Sequence, residues 1–392
     1  MARACLQTEA ITSSEGVSHY IGLMSGTSLD GADGVLLAFD ECSGRQAVVA
    51  HATQPFTDEL KAELLALNTP GDNEIHRAAG ASSQLAQVYA QVVKRLLAQT
   101  AEPISVTAIG AHGQTVRHRP GGTAGLPHSA YTVQLNHPAL LAELTGIDVV
   151  ADFRSRDIAA GGQGAPLVPA FHQQVFGRPD AVVMVLNIGG IANITVVPPL
   201  RDTDAAVTGF DCGPGNALID AWCHRQTGQA FDANGDWAAS GKLVSPLLDI
   251  LLATPYFSEP PPKSTGRDLF SLEWLARKLA PFAHHLPADI QNTLTEFTAR
   301  VCIDSVSAHL AGCNALIVCG GGAFNGHLMQ RLEAGLPGLQ VQSSAEHGLP
   351  PLQVEAAAFA WLARQTVHRL PGNLSSVTGA AGGRVLGAIY PA

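Results

Sequence analysis

Apolar residues in this chain fall into two kinds of run: short continuous ones, and longer stretches spaced three and four apart. Short runs open each half. Ile21–Met24 and Val35–Leu37 bracket Ser25-Gly26-Thr27-Ser28-Leu29-Asp30-Gly31-Ala32-Asp33-Gly34. Asp-Gly between two β-rich runs predicts a hairpin, with Gly31 accepting a positive φ. The second half repeats the theme, with Ala181–Leu186, the turn Asn187-Ile188-Gly189-Gly190, and Ile191–Val197. Two strand–turn–strand units, each opening one half, predict a duplicated fold. Helical spacing follows over Thr57–Asn68, with Thr57 as N-cap and Leu60, Leu64 and Leu67 on one face. A second helix spans Glu74–Leu97, with Ile75, Ala79, Leu85, Val88, Val92 and Leu96 at helical spacing. Buried strands are expected at Val106–Gly110, Asp148–Ala151 and Ala315–Cys319. Further helices are expected at Pro138–Leu144, at Ala217–Gln226 with Pro214 in its first turn, and at Ala288–Leu310, which reads as amphipathic. Pro350-Pro351 opens a last helix carrying Glu355 early.

Composition refines that picture. At 392 residues the chain exceeds the usual single-core size, so two α/β lobes are expected. The Gly/Pro cluster at 161–169 divides them into 18–160 and 161–392, with the last helix free to return to the first lobe. Net charge is −10 and no run of five Lys or Arg occurs, which argues against a nucleic-acid surface. Seven Cys without a Cys-x-x-Cys pair fit reduced thiols. Residues 1–17 read as a ragged leader without the apolar core of a secretory signal. The most apolar window, Ala181–Val197, is interrupted by Asn187, Gly189, Gly190 and Asn193, so no membrane span is expected. A cytoplasmic protein fits these features.

Candidate chemistry sits at the turns. The Ser25–Ser28 loop has backbone N–H groups and hydroxyls that suit anionic oxygens, and Asp30 and Asp33 lie where Mg²⁺ would sit beside them. An ordinary polar hairpin turn is the alternative. His112, Gln114 and Thr115 follow a buried strand, where α/β sheets place ligand-binding groups. They read either as hydrogen-bonding groups for a sugar or phosphate or as plain loop. The spacing of His112 and His118 does not favour metal. Arg154 and Arg156 suit a carboxylate or phosphate, or a salt-bridged loop with Asp152 and Asp157. Asp211 lies just before a helix whose N-terminal field favours its ionised form, as a general base requires; a helix cap is the other reading. Lys263 and Arg267 form a polar cationic loop that could approach a nucleotide. Gly320, Gly321 and Gly322 between a strand and a helix allow close approach of a flat ligand or phosphate. Gly235–Leu243 imitates a phosphate-binding loop, but has one residue too many and Leu in place of Ser/Thr. Asp232–Asp236 begins like a calcium loop, but Trp237 and Leu243 stand where Gly and Glu are required.

Together these motifs resemble the two-lobed ATPase fold of actin, hexokinase and the heat-shock chaperones. The resemblance implies an α/β fold with duplicated mixed β-sheet lobes and an interlobe active-site cleft. A closer resemblance, from about Tyr20 to Ala392, is to the anhydro-N-acetylmuramic acid kinases. It rests on Met24–Gly31, His112–Thr115, Asp152–Arg154, Gly161–Pro166, Asn187–Gly190, Gly209–Asn216 and Cys319–Asn325. It implies an ATP- and Mg²⁺-dependent kinase of cell-wall recycling that opens the 1,6-anhydro sugar with water and phosphorylates O6. By the match, Asp211 activates water. Gly26, Thr27, Ser28, Leu29, Asp30, Gly31, Ala32 and Asp33 take phosphate, with Asp30 on the metal. Asn187, Gly189, Gly190, Gly320, Gly321 and Gly322 complete the nucleotide site. His112, Gln114, Thr115, Arg154 and Glu355 take the sugar. The family also implies a homodimer. The rivals are a kinase of the same fold acting on a free hydroxyl of another sugar, and a non-enzymatic actin-like polymer or switch.

Overall fold

The computed structural model describes residues 16–26, 29–123, 126, 128–261, 263–266 and 269–392. Contacts divide the chain into one unit of residues up to 175, 347–349 and 353–392, and another of 176–346 and 350–352.

The first unit opens with an antiparallel meander, β1 (Val17–Met24), β2 (Gly31–Asp40) and β3 (Gln46–Pro55). Helix α1 (Asp58–Ala66) starts where Thr57 Oγ1 accepts the Leu60 N–H at 3.2 Å, as its sequence predicts. Helix α2 (Glu74–Leu97) has the expected span but a shifted buried face. Ala81, Leu85, Tyr89, Val92 and Leu96 are buried, whereas Ile75 is 89% exposed. The i, i+4 stripe runs through Tyr89, an apolar ring whose hydroxyl needs its own partner. Then come β4 (Ala108–Ala111), the two-stranded ribbon of β5 (Gln114–Arg119) and β6 (Tyr131–Leu135), α3 (Pro138–Thr145), β7 (Val149–Ala151), α4 (Ser155–Ala159) and α5 (Val168–Phe176).

The second unit begins with a like meander, β8 (Val182–Ile188), β9 (Ile191–Val197) and β10 (Thr208–Pro214). Helices α6 (Asn216–Thr227), α7 (Asp236–Ser240), α8 (Ser245–Leu252), α9 (Leu272–Leu279) and α10 (Pro287–Ser307) follow. Pro214 closes β10 instead of entering the helix, and Gly215 takes the N-cap position of α6. Helix α10 is not amphipathic where it counts. From Ile290 to Ala299 every side chain is buried, including Gln291, Asn292, Thr293, Thr295, Glu296 and Thr298. The unit ends with β11 (Cys313–Cys319), α11 (Gly326–Gly335) and β12 (Gln340–Ser343). The chain then returns to the first unit with α12 (Val354–Val367), α13 (Ser375–Thr378) and β13 (Ala388–Tyr390).

The two sheets repeat one topology. The first runs β13-β7-β4-β1-β2-β3 and the second β10-β9-β8-β11-β12. In each, an antiparallel meander is extended past its first strand by two parallel strands, β4 and β7 in one and β11 and β12 in the other. This is the duplicated mixed sheet that the ATPase-like resemblance implies. Each unit has its own core: Ile21, Leu36, Tyr89 and Ile109 lie in one, and Met184, Leu294, Phe297 and Leu316 in the other.

Candidate active site

In the first unit, the loop joining β1 to β2 departs from the simple Asp-Gly hairpin. Leu29, not Gly31, carries the positive φ, at 59°. Gly31 is glycine for another reason: a Cβ there would lie 2.4 Å from the Gln54 carbonyl oxygen on β3. Leu29 and Ala32 turn into the core, so only their backbones face any ligand. Ser25 is buried, and its hydroxyl donates to the Gly113 carbonyl at 3.2 Å and meets Tyr89 Oη at 3.1 Å. That hydroxyl holds the loop down instead of lining a phosphate cradle. Thr27 and Ser28 lie outside the described residues. Gln114 Nε2 donates to the Gly26 carbonyl at 3.3 Å, so Gln114 braces the same loop, while its Oε1 is buried with no hydrogen-bond partner among the described residues.

Carboxylates gather beside this loop. Burial, then the charges of Glu355 and Asp30, push the Asp33 carboxyl up to about 6. Asp30 is exposed and pairs with Lys61 Nζ at 3.3 Å. Glu355, in the first turn of α12, also acts on Arg154. Burial lowers Arg154 to about 10, with Glu355 and then Asp157 opposing that shift.

Arg154 is fixed on two sides. Its Nε and one terminal nitrogen lie 3.0 and 2.9 Å from His112 Nε2, and its other terminal nitrogen donates to the Gly164 carbonyl at 2.8 Å. A ring nitrogen facing two guanidinium N–H groups must be an acceptor, so His112 is neutral with its proton on Nδ1. Burial and the Arg154 charge hold its pKa well below the usual value. His112 thus positions Arg154. The salt-bridged reading of this loop does not hold. Asp152 accepts from the Ser155 hydroxyl at 2.6 Å. Asp157 is fully buried and accepts from Gly164 N–H at 2.7 Å, Asn373 Nδ2 at 2.6 Å and Thr378 Oγ1 at 2.7 Å. The strand-to-helix loop of the first unit is therefore pinned to the C-terminal segment by neutral donors.

In the second unit, register aligns three polar residues in a row. Asn187 on β8 opposes Asn193 on β9, which opposes Asp211 on β10. Asp211 caps no helix. Its Oδ2 accepts the Thr265 N–H at 3.0 Å, and its own N–H donates to the Lys263 carbonyl at 3.1 Å. Burial raises its pKa to about 6, against the lowering effect of that single N–H. Tyr256 Oη donates to the Asp211 carbonyl at 2.7 Å. Lys263 does not reach outward toward a nucleotide. Its Nζ donates to the Tyr256 carbonyl at 3.2 Å and stands 4.7 Å from the Tyr256 ring centroid. Arg267 lies outside the described residues. Asn193 and Tyr256 are not among the site residues the sequence suggests, and Thr265 enters only as part of the polar loop around Lys263.

The two glycine motifs of this unit meet. A Cβ on Gly320 would lie 2.4 Å from Asn187 Oδ1, and one on Gly322 would lie 2.4 Å from Ile188 Cγ2. The Gly189 and Gly190 carbonyls accept the Asn216 and Gly215 N–H groups at 2.8 and 3.0 Å, which caps α6 with the turn's own backbone. The Asp232 carboxylate, in the calcium-like stretch, accepts the Trp237 and Ala238 N–H groups at 3.0 and 2.9 Å at the start of α7.

Residues 18–392 match the family described as anhydro-N-acetylmuramic acid kinase. A protein of that name from Variovorax paradoxus is 63% identical over 375 residues, covering 95% of this chain and 99% of its own length. One from Albidiferax ferrireducens is 58% identical over 390 residues, with the same coverages, and one from Nitrosomonas europaea is 52% identical over 376 residues, spanning its whole length. This chain belongs to the anhydro-N-acetylmuramic acid kinase family.

Proposed function

We propose that this protein transfers the γ-phosphoryl group of ATP to O6 of 1,6-anhydro-N-acetylmuramic acid while water opens the anhydro bridge. The products are N-acetylmuramic acid 6-phosphate and ADP, a step of cell-wall recycling. In the substrate O6 is tied to C1, so there is no free 6-hydroxyl to deprotonate. A base must instead act on water. Asp211 takes a water proton as the water oxygen bonds to C1, the C1–O6 bond breaks, and O6 takes the phosphoryl group. The observation that carries this assignment is the Asp211 carboxylate itself. It is mostly buried, holds one N–H on Oδ2, leaves Oδ1 with no hydrogen bond among the described residues, and has a pKa of about 6. A base poised near the working pH contributes roughly 10²–10⁴-fold in rate.

The remaining roles follow the chemistry of each group. Gly26, Thr27, Ser28, Leu29, Gly31 and Ala32 hold phosphate through the β1–β2 loop, and Asn187, Gly189, Gly190 and Gly320–Gly322 hold the nucleotide. Asp30 and Asp33 suit Mg²⁺ that arrives with ATP. Burial and, after it, the charges of Glu355 and Asp30 hold the Asp33 carboxyl up, and a divalent cation beside it would favour its ionised form. Among the described residues no cluster of three or more His, Cys, Asp or Glu side chains forms a cage, and Mg²⁺ normally uses one or two carboxylates plus phosphate oxygens. When bound, Mg²⁺ neutralises charge on the transferring phosphoryl group. Arg154 takes the lactyl carboxylate, with His112 and Gln114 bracing it and the phosphate loop, and Thr115 and Glu355 contact the sugar. No helix among the described residues is long and apolar enough to cross a membrane. Cytoplasmic residence and a homodimer complete the reading, the latter tested by sedimentation equilibrium. The reaction is tested in ¹⁸O-water with ATP, Mg²⁺ and the anhydro-sugar. Label in the C1 hydroxyl of the product is expected, and label in the phosphate would overturn the mechanism.

A further inference from the structure

The β5–β6 ribbon carries an ordered polar face. A bulge between Thr115 and Arg117 sets the register so that Thr115 opposes Gln134 and His118 opposes Thr132. Directly paired residues share a face, and alternation turns Val133 to the other side. The hydrogen bonds along this face fix which atoms remain available. Gln134 Nε2 reaches Thr115 Oγ1 at 3.1 Å and Thr132 Oγ1 at 2.7 Å. The Thr132 hydroxyl donates its one hydrogen to the Arg117 carbonyl at 3.3 Å. It must therefore accept from both Gln134 Nε2 and His118 Nδ1, the latter at 3.0 Å. That orients the amide. Both Gln134 N–H groups are then spent, and Oε1 is left as an acceptor with no hydrogen bond among the described residues. The Thr115 oxygen is taken by Gln134, so its O–H remains a donor.

Side by side on neighbouring strands stand one donor and one acceptor, both neutral. Such a pair matches a secondary amide, whose N–H goes to Gln134 Oε1 and whose C=O takes the Thr115 hydroxyl. Charge nearby fits the rest of such a ligand: the Arg154 guanidinium is close enough to help lower the pKa of His118. We infer that Thr115 and Gln134 form the subsite that reads the acetamido group of the sugar, with Thr132 and His118 holding Gln134 in orientation. This rests on the amino-sugar reading above and adds the feature by which the site would reject a sugar bearing a hydroxyl at C2.

Calorimetric binding and steady-state kinetics test it on the full chain, using 1,6-anhydro-N-acetylmuramic acid and its counterpart with a hydroxyl in place of the acetamido group. Wild-type protein should favour the acetamido sugar by about tenfold or more, since a site built to bond a polar group leaves its own groups unpaired when that group is missing. Gln134→Leu and the near-isosteric Thr115→Val should each cut that preference about fivefold, weakening the acetamido sugar alone. ATP affinity should not change, which shows that the fold is intact. Equal losses on both sugars, or an undiminished preference, would overturn the subsite. If wild-type protein binds with the preference and the variants lose it, yet no phosphoryl transfer occurs, the subsite stands and the proposed reaction falls. If wild-type protein binds neither sugar, the subsite falls.

Discussion

At the scale of the residue, two carboxyl groups are held above their ordinary range, and the sign of that shift has consequences for both catalysis and stability. Asp33 and Asp211 each sit near 6 instead of 3.8, chiefly because burial disfavours the charged form. For Asp211 acting as base, activity should fall about tenfold per pH unit below about 6, read in kcat/KM for the sugar. Asp211→Asn should abolish that limb and lower kcat by two to four orders of magnitude, with both ligands still bound. Stability should move the other way. Between about 4 and 6 the unfolded chain loses these protons before the folded one, so these groups stabilise the fold in acid and the contribution is lost as pH rises. Asp33→Asn should therefore raise the denaturation midpoint at pH 7.5 and leave it almost unchanged at pH 4, while the KM for Mg·ATP rises. A variant less stable than wild type at pH 7.5 would contradict the account of a buried carboxylate penalised for its charge.

At the scale of the element, α12 shows why the site was only partly legible in sequence. Its start and the early Glu355 follow from Pro350-Pro351, but what it packs on does not. Gly22 on β1 and Gly110 on β4 are register partners, and a Cβ on either would enter α12 backbone, 1.8 Å from the Ala356 carbonyl oxygen and 2.1 Å from the Phe359 carbonyl oxygen. Paired glycines thus let the helix lie directly on the sheet and bring Glu355 within electrostatic range of Asp33 and Arg154. Gly110→Ala should cost at least the 1–3 kcal/mol typical of overpacking, because the obstructing atoms are backbone, measured by chemical denaturation. It should also raise the sugar KM as Glu355 moves. The pin at Asp157 was equally hidden, since its partners Asn373 and Thr378 lie more than two hundred residues away in sequence. Asp157→Ala would leave three buried donors unpaired at about 1–3 kcal/mol each. Local signals such as the Thr57 cap and the Asn187–Gly190 turn could be read because the residues that make them are neighbours in the chain.

At the scale of the whole molecule, the repeated sheet order was legible as two strand–turn–strand signatures, one at the head of each half. The interruption of one unit by the other was legible only as a last helix free to return to the first lobe, not as a position in the chain. No composition shift marks Gln353, yet residues 353–392 belong to the unit that starts the chain. The two units consequently differ in what they need in order to fold. The second is nearly continuous, and its core, with Leu294, Phe297 and Leu316, lies between residues 176 and 346. The first depends on a distant segment: Ala356, Ala357, Phe359, Ala360, Leu362 and Ala363 are buried, and α12 covers β1 and β4 at the paired glycines. A fragment of residues 176–352 should therefore unfold cooperatively on its own. A fragment ending at Val175 should expose the apolar sheet face that α12 covers, and lose near-UV dichroism while keeping far-UV signal. Supplying residues 353–392 in trans, or fused through a Gly/Ser linker, should restore a cooperative transition, because the missing term is burial and not a covalent connection. If the fragment ending at Val175 melts cooperatively without that supplement, the returning helix is an accessory to a core already complete, and the argument from the glycine pair fails with it.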